Sequence, residues 1–281
     1  MKAFRAFLVS VLVLPAAAVA QPLPRPTPVD LALVLAVDVS GSVDEEEARL
    51  QRKGYVDALS DPAIVSAITS GILRRAAVTY FEWAGDRWQV PVVDWKLIDG
   101  QESADAFANE LAAAPIGGGP WTSISSAIDF AVALHEASPY EATRRVIDIS
   151  GDGPNNTGSL VASSRDEAVA KRITINGLAI MNDRQNFGRT PMPNLDLYYR
   201  HCVIGGHGSF VVVANGFKDF GRAIRRKLSL EIAGLQPADR SAGPVLSDGR
   251  VQSPPTGPGG KRWIPPCDEG ERRFRGVIDD E

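Results

Sequence analysis

A carboxylate and two hydroxyls occur at alternate positions directly after the first apolar run of the chain. Asp38, Ser40 and Ser42 follow the run at residues 31–37. An uninterrupted apolar run is typical of a strand buried on both faces of a parallel sheet, and open α/β sheets bind ligands at the carboxyl ends of such strands. Mg²⁺ and Mn²⁺ prefer oxygen ligands, so the three side chains are candidate ligands of one hard cation. Ser42 with Glu45 also fits a helix capping box, which needs no metal.

Two later loops carry side chains of the same kind. Thr122 ends a glycine-rich segment at residues 117–122, just before a predicted helix that begins near Ser123. Asp152 lies in a glycine-rich turn after an apolar run that ends at Ile149. Both residues are therefore expected at carboxyl ends of strands. Each has a purely structural alternative, because Thr can cap a helix and Asp can form an Asx-turn.

The elements that position these loops follow from the apolar pattern. Buried strands are predicted from runs at residues 31–37, 76–81, 146–149, 173–180 and 210–213, and residues 88–93, interrupted by Pro91, suit an edge strand. Helices are predicted at residues 44–59, from residue 123, and at residues 217–235. This alternation predicts an α/β domain with a mostly parallel sheet. On the last helix a solvated face is the preferred interpretation, with a membrane-binding surface as the alternative, for Arg222, Arg225, Arg226 and Lys227.

Together the three loops resemble the metal ion-dependent adhesion site (MIDAS) of the von Willebrand factor type A (vWA) domain family. That site has the pattern DxSxS, a distant Thr, and an Asp commonly followed by Gly. The resemblance spans residues 30–235 and implies a Rossmann-like doubly wound sheet with helices on both faces. It assigns the metal to Asp38, Ser40, Ser42, Thr122 and Asp152. The N-terminal apolar run, the stretch DVSGSVDEEEARLQRKGY at residues 38–55, residues 202–206 and the basic last helix also resemble an uncharacterised bacterial group of exported vWA-like proteins. Gly151 departs from the pattern, because the family often has Thr there.

Charge counting gives the function that this resemblance implies. Two carboxylates balance one divalent cation, while hydroxyls add coordination without charge, which leaves a position for a Glu or Asp of a protein partner. The prediction is an adhesion-type, metal-dependent protein-binding module that uses Mg²⁺ or Mn²⁺, with Ca²⁺ also compatible. Trp121 is expected on the rim as an aromatic anchor, together with Asn155. Packing beneath the loop and turn formation are the respective alternatives.

Catalysis has less support in the sequence. His135, His201 and His207 are scattered and form no Ser-His-Asp order, so no enzyme is predicted. A metal-dependent hydrolase such as a phosphatase is the main alternative function, because a cation can polarise a phosphate or activate water. A scaffold that keeps the motif only for folding is the weaker alternative.

The composition and the N-terminus indicate an exported protein with one large domain. The 281 residues are 44% hydrophobic and carry a net charge of −4, which argues against nucleic acid as a partner. Lys2 and Arg5 precede an apolar run that ends in small residues, so residues 1–20 are predicted to be a signal peptide that directs export to the periplasm or the medium. The run is too short to span a membrane, and no transmembrane segment is expected in the mature chain.

Residues 21–29 are predicted to be a Pro-rich linker, residues 30–235 the domain, and residues 236–281 a Pro- and Gly-rich tail without a core of its own. The chain has two cysteines, Cys202 and Cys267. In an oxidising compartment they are expected to pair and tie the tail back to the domain. Two independent thiols, or a bond from Cys267 to another molecule, are the alternatives.

Overall fold

The structure, a computed structural model, describes residues 25–182, 191–234 and 262–278. The predicted signal peptide, most of the linker and residues 235–261 lie outside the described residues. One six-stranded sheet has the order β3-β2-β1-β4-β5-β6, and every neighbouring pair is parallel except β2 and β3. The strands are β1 (Thr27–Asp38), β2 (Ala76–Trp83), β3 (Gln89–Ile98), β4 (Tyr140–Gly151), β5 (Ile173–Ile180) and β6 (Val211–Ala214). This confirms the predicted α/β class and the edge position of β3.

Helices cover both faces of the sheet. They are α1 (Glu45–Leu59), α2 (Pro62–Thr69), α3 (Gln101–Ala113), α4 (Ile124–Glu136), α5 (Val161–Ala170), α6 (Leu195–Tyr198), α7 (Phe220–Ala233) and α8 (Glu269–Ile278). The core on one face includes Tyr55 of α1 and Phe220 of α7, and the core on the other includes Ile128 of α4. Alternate residues of β1 enter the two cores. Both faces of the strand are therefore apolar, and the sequence shows an uninterrupted run.

The first strand begins earlier than predicted. Thr27 and Pro28, assigned to the linker, pair with Tyr140 and Glu141 of β4, whereas the ladder with β2 starts only at Leu31. Proline cannot donate to a ladder. It is tolerated here because this end of β1 extends beyond β2 and has a strand neighbour on one side only.

The predicted solvated face of α7 is wrong at one position. Lys227 is fully buried, and its Nζ lies 2.7 Å from Asp148 Oδ1 and 2.5 Å from Glu231 Oε1. Residue 227 follows Ala223 by one helical turn and therefore shares the buried side of the helix. Burial and the Glu231 charge raise the pKa of Asp148 to about 8, while Lys227 lowers it. A salt-bridged cluster thus replaces the expected solvent contact.

We expect Lys227→Met to lower the free energy of unfolding by about 3–5 kcal/mol, because it leaves Asp148 and Glu231 buried without their cation. The matched control is Arg226→Met, at the adjacent exposed position, which should change the free energy by less than about 0.5 kcal/mol. Urea unfolding followed by circular dichroism measures both. Equal effects of the two variants would contradict a role for the cluster in stability.

Cys202 and Cys267 form a disulfide bond, which confirms the predicted pairing. The tail also contains a helix that the sequence did not predict, α8, which begins two residues after Cys267. Within the described ranges, no helix is long and apolar enough to cross a membrane.

Candidate metal site

The three predicted loops meet at the carboxyl ends of the neighbouring strands β1 and β4. The first loop follows Asp38, the last residue of β1, and the third follows Gly151, the last residue of β4. The second loop joins the first through a parallel bridge between Ser40 and Gly119, where the Gly119 N–H donates to the Val39 carbonyl at 3.3 Å. All five side chains that the sequence predicts as ligands therefore lie in one place.

Hydrogen bonds connect these side chains to one another. Ser42 Oγ donates to Asp152 Oδ1 at 2.5 Å, and Thr122 Oγ1 donates to Ser40 Oγ at 3.2 Å. The hydroxyls of Ser40 and Ser42 are 3.2 Å apart. On the first loop, Asp38 Oδ1 accepts from the backbone N–H of Ser40 at 2.7 Å. The five side chains form a cluster of two carboxylates and three hydroxyls, in which every potential metal ligand is an oxygen atom.

The two carboxylates are buried beside each other. Asp38 is 0% exposed and Asp152 is 8% exposed. Asp38 Oδ2 has no hydrogen-bond partner among the described residues. Burial and the neighbouring Asp152 charge raise the pKa of Asp38 to about 8, and burial also raises the pKa of Asp152. Two carboxylates in this setting are costly to ionise unless a positive charge compensates them.

Neither Ser42 nor Thr122 caps a helix. The capping box of α1 is formed by Asp44 and Glu47, not by Ser42 and Glu45. The N-cap of α4 is Ser123, whose hydroxyl accepts from the Ser126 N–H. The capping alternatives for Ser42 and Thr122 are thus wrong, and both hydroxyls point into the cluster instead.

Gly151, the departure from the vWA pattern, is required by close packing. A Cβ at this position would lie 2.7 Å from both Asp38 Oδ2 and the Tyr199 hydroxyl. Tyr199 is fully buried in a π-helical turn (Tyr199–Val203), and its hydroxyl has no hydrogen-bond partner in the described part of the chain. The Asp38 charge adds to burial in raising the pKa of Tyr199. Sequence reasoning missed Tyr199, because only the fold brings it to Asp38.

We expect Gly151→Ala to lower the free energy of unfolding by about 1–3 kcal/mol, because the added methyl group overlaps Asp38 and Tyr199. Gly153→Ala is the matched control two residues away, since its Cβ would lie 4.0 Å from the nearest atoms, those of Thr122. Thermal and urea unfolding of both variants test this. If Gly151→Ala were as stable as the wild type, packing against Asp38 and Tyr199 would not be what requires glycine at this position.

Of the two residues predicted for the rim, only Trp121 is exposed. Trp121 is 43% exposed and adopts a left-handed backbone with φ of 66°, a conformation that is uncommon for a bulky residue. Its ring packs edge-on against Phe274 of α8, with ring centroids 4.4 Å apart. Asn155 is fully buried and lies beneath the rim. Its side chain bonds the backbone of Ser125, Thr157 and Ser159, so it organises the third loop from within.

A buried ion pair supports the second loop and was also missed from the sequence. Glu82 Oε2 accepts from the Gly117 N–H at 3.1 Å, and Glu82 Oε1 accepts from Arg52. Arg52 also donates to the carbonyls of Leu111 and Ala114, at 2.9 and 3.0 Å. The pair therefore fixes the segment that connects α3 to the glycine-rich loop.

The histidines lie outside this cluster. His135 is buried in α4 with Nε2 3.2 Å from the Val146 carbonyl oxygen, and burial lowers its pKa to about 4. His201 and His207 are exposed. Across residues 25–182, 191–234 and 262–274, no three His, Cys, Asp or Glu side chains group as metal ligands, so the candidate site depends on its hydroxyls.

The sheet order and the helices on both faces give the described residues a vWA-like fold. A vWA protein from Catenulispora acidiphila matches with a TM-score of 0.52 and 11% identity, over 73% of this chain and 43% of that one. Proximal thread matrix protein 1 from the mussel byssus matches with a TM-score of 0.52 and 11% identity, over 74% and 49%. The pilus adhesin SpaC from Lactobacillus rhamnosus GG gives 0.53 and 14%, over 73% and 30%. This chain thus spans less than half of the length of each of these three proteins.

The chain belongs to the family described as "Protein of unknown function (DUF1194)", whose model matches residues 28–236. A search of curated proteins found no match. Another structure of the mussel byssus protein is described as having a zinc-occupied MIDAS motif.

Proposed function

We propose that this protein is an exported, metal-dependent protein-binding module. A divalent cation, Mg²⁺ or Mn²⁺ in the first place and Ca²⁺ as a third candidate, is held by Asp38, Ser40, Ser42, Thr122 and Asp152. An acidic side chain of a partner protein completes the site. The observation that carries the proposal is the convergence of two buried carboxylates and three hydroxyls at the ends of β1 and β4, together with Asp38 Oδ2, a buried oxygen that lacks a hydrogen-bond partner in the described residues.

The chemistry of the donors supports a hard cation. All five side chains offer oxygen, and the two carboxylates together match the charge of one divalent ion. Compensation by a cation would remove the cost of burying Asp38 beside Asp152, the cause of the raised pKa of Asp38. A cation held mainly by neutral hydroxyls and two carboxylates would offer a carboxylate of the partner an electrophilic position.

The surroundings of the cluster suit a protein partner. Ser42 is partly exposed, so the cluster is open to solvent on the side of the first loop. Trp121, next to Thr122, offers an exposed aromatic surface, and Trp is frequent among the residues that contribute most to protein binding. Support from relatives is limited to the shared fold, but those relatives include a pilus adhesin and a protein with a zinc-occupied MIDAS motif.

Export is supported by the disulfide, because such bonds form and persist in oxidising compartments. The proposed signal peptide at residues 1–20 would direct the chain to the periplasm or the medium. A cytoplasmic location would leave Cys202 and Cys267 reduced and would remove this support.

Calorimetric titration of the EDTA-stripped protein with Mg²⁺ and Mn²⁺ tests the site directly. We expect one site in the wild type and none in Asp38→Ala, because the variant removes a charged ligand. Asp94→Ala, an exposed carboxylate on the edge strand β3, is the matched control and should bind like the wild type. Equal binding by the wild type and Asp38→Ala would place the cation elsewhere and contradict the proposal.

Experiments on the same protein preparations distinguish the three candidate functions: binding module, hydrolase and scaffold. A binding module captures its partner in Mn²⁺ and releases it in EDTA. A hydrolase turns over a phosphoester such as p-nitrophenyl phosphate with Mg²⁺ or Mn²⁺, and loses this turnover in Asp38→Ala. In a scaffold, metal changes the melting temperature alone.

A further inference from the structure

The C-terminal segment, defined here as residues 262–274, lies against the loops of the candidate metal site. It begins at Arg262, beside Asp196 of α6, and runs through Cys267 into α8. Phe274 contacts Trp121 of the second loop, and Gly270 and Glu271 contact Asn155 of the third loop. The segment therefore contacts two of the three loops that carry the predicted ligands.

The contact with the third loop leaves no space for a side chain. A Cβ added to Gly270 would overlap the carbonyl oxygen of Asn155 and would lie 3.1 Å from Pro154 Cβ. Glycine at this position lets the backbone of α8 approach the loop directly. Because close-packed backbone atoms cannot move toward each other, this contact sets the smallest distance between the third loop and α8.

Hydrogen bonds set the position of the same loop residue from two sides. Glu271 Oε1 accepts from Asn155 Nδ2 at 2.7 Å. The Tyr198 hydroxyl accepts from the Asn155 N–H at 3.2 Å and donates to the Cys267 carbonyl at 3.3 Å. Asn155 is thus held by the segment through its side chain and, by way of Tyr198, through its backbone.

Asn155 is followed in the chain by a residue that bonds directly to Thr122, one of the predicted ligands. The next residue, Asn156, accepts from the Thr122 N–H through Oδ1 at 2.9 Å and donates its own N–H to the Thr122 carbonyl at 2.8 Å. Thr122 Oγ1 in turn donates to Ser40 Oγ. Contacts therefore run from Gly270 and Glu271 through the third loop to the hydroxyls of the cluster.

Two anchors attach the segment to the domain. One is the disulfide from Cys267 to the buried Cys202. The other is Arg262, which forms a bidentate pair with Asp196 of α6 and also donates to Asn194. The anchors lie on either side of Trp263, whose carbonyl accepts from Asn194 Nδ2. The segment is thereby held in place over the loops.

We propose that the C-terminal segment is a working part of the metal site, with Gly270 and Glu271 as positioning residues that act through Asn155. Closure of the Cys202–Cys267 bond is coupled through this segment to the affinity of the site for its cation. The proposal rests on the proposed function, because it requires that the cluster binds a cation.

Manganese titration of three variants and a control tests the coupling. Glu271→Ala removes the only acceptor of Asn155 Nδ2 that the segment supplies among the described residues, leaving the carbonyls of Thr157 and Ser159, and Gly270→Val pushes α8 away. We expect each variant to weaken Mn²⁺ binding by about tenfold, as loss of outer-shell support does at other metal sites. Glu271→Gln keeps an oxygen acceptor and should restore affinity close to the wild type. Arg273→Ala, an exposed residue of the same helix, is the matched control and should also bind like the wild type.

The double variant Cys202→Ser, Cys267→Ser removes one anchor without touching a loop and should also weaken Mn²⁺ binding. Circular dichroism and melting without metal show whether each variant is folded, and if Gly270→Val does not fold, the comparison of Glu271→Ala with Glu271→Gln decides. Wild-type affinity in all the folded variants would overturn this inference and leave the proposed function standing. Absence of Mn²⁺ binding in the wild type would instead overturn the proposed function, and this inference with it.

Discussion

The burial of two carboxylates at the ends of adjacent parallel strands is the constraint on which the rest of the site depends. Asp38 and Asp152 lie in a region of low dielectric, where each raises the energy of the other's charged form. Removing either carboxylate from water costs a large free energy. The surrounding chain must therefore either supply a compensating positive charge or leave space for one. Hydroxyls, a glycine and a buried tyrosine occupy the first layer around these groups, and none of them carries a positive charge.

Position in the sheet explains why these groups meet at all. β1 lies between β2 and β4, and all three run in parallel, so their carboxyl ends share one edge. The apolar runs of the sequence locate five of the strands, and the motif residues follow two of them directly. The fold and the meeting of the three loops could therefore be predicted from the sequence, because burial on both faces produces an unambiguous pattern.

Several features that depend on partners distant in the sequence could not be predicted, although the disulfide was. Lys227 resembles its exposed neighbours in sequence, and only the approach of Asp148, on β4, makes a buried position possible. Two overlapping patterns fit a capping box before α1, and the backbone conformation selects Asp44 over Ser42. Asn is a residue type that is typical of turns, so the sequence does not indicate that Asn155 is buried. It bonds to α8, a highly charged helix that follows the disulfide. The family match ends at residue 236, before this helix begins.

The disulfide also determines how the chain would respond to mechanical force. The bond joins residues that are 65 positions apart, and the chain between them includes β6 and α7. Tension applied to the chain beyond Cys267 passes through the sulfur atoms to Cys202, next to β5 and to Tyr199, and bypasses the intervening loop of chain. Because the path crosses the turn that places Tyr199 beside Asp38, a pull from that side would load the neighbourhood of the carboxylates directly, while α7 and its buried lysine would remain unloaded.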